Sequence, residues 1–203
     1  MRHVPLSWLV LLTLLSLSAP MVQGSSVTEA VARKTDSEKV CVRKVCFPRM
    51  VISDGTELHV RGATTAKYWG FSLYGIAFYM PPAVASDQWA GDHAKRMAVH
   101  YHRGFTKAQL SESTEKIVAN NPASDMEALR KPLDALYAAY QDVKKGDEYV
   151  ITYTPGKGTV LVLNGVESPV IEGEDFAAAL FGVWVSDYGI STDLSKTLLG
   201  RNK

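Results

Sequence analysis

Residues 146–184 read GDEYVITYTPGKGTVLVLNGVESPVIEGEDFAAALFGVW, and this stretch decides the fold. Tyr149, Ile151 and Tyr153 alternate with Val150, Thr152 and Thr154, the period of two that gives a strand one apolar and one mixed face. Pro155-Gly156-Lys157-Gly158 reverses the chain. After a second strand, Thr159 to Leu163, the pair Asn164-Gly165 supplies two residues that tolerate positive φ, as a type I′ hairpin requires. Pro169 has no N–H to give to a ladder, which puts the third strand at an edge or a bulge. Glu174 and Asp175 then suit the positive end of a helix dipole, and Phe176, Ala179, Leu180, Val183 and Trp184 form one apolar stripe. An antiparallel meander therefore runs into a helix that packs on its face.

Working outward, the N-terminus carries Arg2, an apolar run from Trp8 to Leu17 and small residues before Ser25. The run is too short to span a bilayer comfortably, and residues 1–24 read as a cleaved secretory signal. Its removal takes Lys and Arg from 22 to 21, level with 21 Asp and Glu. A formally neutral chain argues against a nucleic-acid partner, whose phosphates demand a basic surface. Once exported, the protein is expected in the periplasm or outside the cell, as a monomer without stable membrane insertion. Residues 25–44 read as a loose leader and 45–203 as one domain. Cys41 and Cys46 are the only cysteines. They can pair in an oxidising compartment only if the four residues between them fold back; the alternative is two free thiols.

The domain opens with strands over Val45 to Ile52 and Leu58 to Arg61, joined at Ser53-Asp54-Gly55. A longer run, Lys67 to Met80, is apolar on both faces, which predicts a central strand covered on both sides. His100 and His102 share one face of the next strand, with His93 upstream. No nearby Asp, Glu or Cys completes a metal-ligand set, so the pair reads as a polar strand face. Thr106 and Gln109 form a capping box, Ser124 and Glu127 a second one, and Pro132 is expected to kink the second helix. Thr192 can cap a last short helix stopped by Gly200. The order of elements predicts an α+β domain with a large antiparallel sheet backed by helices.

The succession of Phe47-Pro48, DGTELHVRGA at 54–63, KYWGFSLYGIAFYMP at 67–81, KGDEYVITYTPGKGTVLVLNG at 145–165 and FAAALFGVW at 176–184 resembles the chalcone isomerase-like family, in its exported bacterial branch. The resemblance runs from about Val45 to Gly200. It implies an open-faced β-sandwich with a ligand cleft between sheet and helices, and no cofactor. Plant members close a chalcone to a flavanone, plastid relatives bind fatty acids, and other members have no settled activity. In the enzymes an Arg steadies the developing oxyanion. That position falls here on Ala66, in Gly62-Ala63-Thr64-Thr65-Ala66. Arg61 and Lys67 are cationic neighbours, but adjacent strand residues point to opposite faces. The enzyme's strand Thr falls on Tyr74, the Tyr and Asn of its cleft helix on Ser113 and Asn120, and its late Thr near Gly182, so only the Asn is kept. With the enzyme positions so altered, the expectation is a protein that binds a small, fatty acid-like apolar molecule in that cleft without catalysis, with Tyr74, Ser113 and Asn120 as polar contacts and Lys67 as an anion partner. A cofactor-independent isomerase and an envelope assembly factor are the alternatives.

Overall fold

Three two-residue turns of the form X-Gly shape the sheet: Asp54-Gly55, Trp69-Gly70 and Asn164-Gly165, all with positive φ. The structure is a computed structural model that describes residues 38–201. The segment expected to be a signal, and the expected leader as far as residue 37, lie outside the described residues. A small hairpin, β1 (Lys39–Val42) and β2 (Val45–Pro48), comes first. A seven-stranded antiparallel sheet follows in simple sequential order. Its strands are β3 (Met50–Ser53), β4 (Thr56–Tyr68), β5 (Phe71–Met80), β6 (Lys95–Tyr101), β7 (Glu148–Thr154), β8 (Gly158–Leu163) and β9 (Val166–Glu167).

Helices α1 (Lys107–Ala119) and α2 (Met126–Ala139) are inserted between β6 and β7. The base of this insertion is tied by paired backbone bonds, 2.9 Å each, between Phe105 and Val143. Helices α3 (Glu174–Val185) and α4 (Thr192–Leu198) close the chain. The predicted α+β class and helix-backed sheet are present. Strand β5 is central: Tyr74, Ile76, Phe78 and Met80 join the helix-side core, while Ala77 and Tyr79 join a second cluster under the β1–β2 hairpin.

Several local expectations are corrected. The leader is not loose throughout, because Lys39–Val42 is a strand held against β2. Val45 to Ile52 is two strands in two sheets, parted at Arg49, whose N–H bonds back to Glu38. The run from Lys67 to Met80 is not one strand; β4 extends to Tyr68 and the chain reverses at Trp69-Gly70. Asp125, not Ser124, caps α2, accepting from the Glu127 and Ala128 amides at 3.0 and 3.1 Å. Ser191 rather than Thr192 caps α4. The Thr106–Gln109 capping box forms with both of its bonds. Pro132 lies inside α2, which continues across it. Cys41 and Cys46 are directly opposed across the hairpin, 4.0 Å apart at Cα, and form a disulfide.

Candidate functional site

Between the sheet and α1 lies a cavity of about 230 Å³. Strand alternation supplies its floor: Tyr74 from β5, Val99 and Tyr101 from β6, Tyr149 and Ile151 from β7. Its roof comes from α1, where Leu110, Ser113, Thr114 and Ile117 recur at helical spacing. Val183 and Trp184 of α3 close one side, and Ile190 and Phe105 stand at the wall. The start of α1 is fixed by its capped N-terminus and by the Phe105–Val143 tie.

The polar atoms of the cavity are chiefly hydroxyls. Tyr74, Tyr101, Tyr140 and Tyr149 are all buried and meet edge to face or tilted, with ring centroids 5.8 Å apart for Tyr74–Tyr101, 6.3 Å for Tyr101–Tyr149 and 6.1 Å for Tyr140–Tyr149. The indole N–H of Trp184 donates to the Tyr74 hydroxyl at 3.2 Å. Tyr149 accepts the Gln141 amide at 2.9 Å, and Tyr140 pairs with Thr114 at 3.1 Å. Tyr74 and Tyr149 thus serve as acceptors, and their own protons find no acceptor among the described residues. Burial pushes the Tyr74 hydroxyl up to about 12, against the smaller opposing effect of Trp184. Burial likewise takes Tyr140 to about 12 and raises Tyr101 and Tyr149. At neutral pH these are hydroxyl donors, not phenolates.

Among the described residues that line the cavity, none is Lys, Arg, His, Asp or Glu. Such a lining can bury an apolar body and donate hydrogen bonds to an oxygen.

The structure brings together two of the four residues singled out from the sequence. Tyr74 and Ser113 line the cavity. Lys67 is exposed and borders a separate depression with Arg43, Thr65 and Ala66. Asn120 is exposed at the C-cap of α1, where its own N–H bonds to Lys116. Ala66, at the family's Arg position, is buried opposite Tyr74 in the β4–β5 ladder. Arg61 is committed elsewhere, its guanidinium donating to the carbonyls of Pro81, Pro82 and Val84. Thr114, Tyr101, Tyr140, Tyr149 and Trp184 are missed by sequence reasoning. The available signal was the recurrence of tyrosine on apolar faces, since each buried hydroxyl needs a partner.

The family model described as chalcone isomerase-like matches residues 39–200. No curated protein sequence matches the chain. Among solved structures, the crystal structure of a fatty-acid binding protein of Arabidopsis thaliana superposes with a TM-score of 0.62 at 12% identity, covering 81% of this chain and 97% of the other. At that identity the likeness speaks for the fold alone.

Proposed function

The chain belongs to the chalcone isomerase-like family, and within it we propose that this protein binds a small, largely apolar molecule between sheet and helices without converting it. The observation that carries this is the uncharged lining, apolar side chains with tyrosine hydroxyls among them. A phenolate or enolate formed there would meet no cation. Loss of a single preorganised oxyanion donor costs about 3–4 kcal/mol, a hundredfold or more in rate. Apolar binding survives that loss. The fatty-acid binding protein of the same fold supports an acyl-like ligand. At ~30 Å³ per group, the 230 Å³ cavity holds roughly eight methylene-sized groups. Burying them is worth about 6 kcal/mol before the cost of immobilisation.

Native mass spectrometry of protein purified from an exporting host should find a co-purifying small molecule, or uptake of a medium-chain alcohol or ketone. A cavity that takes up neither would defeat the binding function. Stereoselective flavanone formation, abolished by Tyr74→Phe, would show a catalyst instead.

We also propose that the protein belongs to the exported bacterial branch of the family and acts as a monomer, in the periplasm or outside the cell, after loss of residues 1–24. The apolar run from Trp8 to Leu17 supports the export. So does the Cys41–Cys46 disulfide, because thiols persist reduced in the cytosol. N-terminal sequencing of the native protein should begin near Ser25; a chain that keeps Met1 would count against export.

A further inference from the structure

The β4–β5 turn stands apart from the other two X-Gly turns of the sheet. Those turns place Asp54 and Asn164 at φ of 49° and 50°, side chains that tolerate the left-handed region. The β4–β5 turn places Trp69 there, also at φ 49°. A bulky residue is strained in that region. Nor does packing compensate, since Trp69 is 84% exposed, with Tyr68 at 66% and Phe71 at 70%. Three large aromatics therefore crowd the tip of one hairpin, and the local backbone conformation disfavours the most exposed of them. Neither hydrophobic burial nor turn chemistry accounts for the sequence Tyr68-Trp69-Gly70-Phe71.

We propose that this hairpin tip is a docking element for the surface of a lipid bilayer, entering the headgroup region with Trp69 and its aromatic neighbours. Four observations favour that partner. Tyr and Trp combine an apolar body with a polar edge, the chemistry enriched at membrane–water interfaces. Exposed cations flank the tip: Lys67 precedes the aromatics, and Arg43 shares its depression, suited to anionic headgroups although Asp193 lies in the same lining. The turn is open, since a Cβ added at Gly70 would meet no atom within 4 Å, so nothing in the described structure stands over it. Finally, Leu73 and Tyr74 of the same strand line the cavity, two to three residues beyond Phe71, or about 7–10 Å along the strand. Docking there brings an apolar cavity to the membrane that holds apolar ligands. With residues 1–24 removed as proposed above, the stretch that precedes the described residues, 25–37, reads SSVTEAVARKTDS, a polar and charged sequence unsuited to covering the aromatics.

The docking rests on the hairpin and stands whether or not the cavity is filled. The full protein is floated with vesicles of phosphatidylethanolamine and phosphatidylglycerol, beside a variant carrying Trp69→Ser and Phe71→Ser. The expected result is vesicle binding that the double substitution lowers at least about tenfold. Val166→Ser, at an exposed apolar residue on β9 at the far edge of the sheet, should leave it unchanged. Brominated lipid should quench tryptophan fluorescence in the parent and less in Trp69→Phe. Binding that is absent, or that the double variant retains in full, would overturn the assignment. So would self-association abolished by Trp69→Ser without vesicle binding, which would give the tip to a second copy of the chain.

Discussion

The two faces of the large sheet are covered in different ways, and only one is left with an uncharged cavity. On the helix face β5 presents Tyr74, Ile76, Phe78 and Met80, long side chains that hold the helices off the strands. On the other face the same strand presents Gly75, Ala77 and Tyr79. There the disulfide-closed hairpin comes down on small residues: a Cβ at Gly75 would lie 3.4 Å from Val45 Cβ. The two tyrosines of β5 follow the same division. Tyr79 donates its hydroxyl proton to Pro48 at 2.9 Å, whereas the Tyr74 proton is left facing the cavity. The groove beside the hairpin also carries Arg96, His100 and Glu148, while the cavity lining carries no formal charge. Along β5 the close cover meets small residues and a satisfied tyrosine, and the spaced cover leaves room and an unspent hydroxyl donor for a ligand.

A pair of glycines marks where that contrast reverses, and carries the largest expected effect: the helices stand off β5 but α4 rests directly on β4. Gly62, at the β4 bulge, faces α4 so closely that a Cβ would fall 2.0 Å from the Thr197 carbonyl oxygen. Backbone cannot yield as a side chain can, so Gly62→Ala should cost more than about 3 kcal/mol, read from the urea midpoint. Gly75→Ala meets ordinary contact distances on the hairpin face and should stay within about 0.5 kcal/mol. Equal costs would mean that helix α4 does not rest on bare backbone.

Next in size is the disulfide. Its loop is short, and the chain-entropy account gives about 2 kcal/mol for it. Replacing Cys41 and Cys46 by Ser should lower the midpoint accordingly and leave ligand affinity unchanged, because the cavity is on the opposite face. A large loss of affinity would show that the two faces are coupled through β5.

The sequence made one side of this contrast plain. The alternation around Gly75 announced a strand covered on both faces, and Asn164-Gly165, Asp54-Gly55 and the Thr106–Gln109 box each marked a boundary that formed. The β1 strand was not legible: it is four residues long, turns at Arg43 with no Gly or Asn, and is held by a disulfide whose partner lies beyond the turn. Trp69 hid the β4–β5 reversal because tryptophan is not a turn residue. Tyr74, Ser113 and Asn120 were placed by resemblance to a motif and Lys67 as the cation beside Ala66, none of them by facing, and Lys67 and Asn120 lie outside the cavity. The residues that build it, Tyr101, Tyr140 and Tyr149, looked like core because they sit on apolar faces, and only three-dimensional spacing shows where their hydroxyls gather.

Lys95 gives a smaller effect with a defined sign. It is wholly buried on β6, donating to the Trp89 and Gly91 carbonyls at 2.9 and 2.8 Å, and burial lowers its pKa from 10.5 to about 8. Below pH 8 both folded and unfolded chains hold the proton, so this group adds no slope. Between about 8 and 10.5 the unfolded chain binds more protons, and stability rises with pH. The rise should be about 1 kcal/mol from pH 8 to 9, within the limit of 1.4 per unit set by one group. Lys95→Met should flatten it. A parent protein whose stability falls over that range would contradict the assignment.

The smallest expected change in stability separates the faces most directly, because β5 carries one tyrosine toward each. Tyr79→Phe removes a satisfied bond and strands the Pro48 carbonyl, costing about 1 kcal/mol with no change in ligand affinity. Tyr74→Phe strands the Trp184 indole N–H but also removes a buried hydroxyl whose proton has no acceptor, so stability should move by less than about 1 kcal/mol. Its affinity effect should be selective. A medium-chain ketone loses one hydrogen bond and binds about five- to tenfold more weakly, while an alkane of equal length binds as before. Calorimetric titration of both ligands against both variants reads the difference. If the alkane weakens as much as the ketone, the Tyr74 hydroxyl serves only to hold Trp184 in place, and the cavity recognises shape alone.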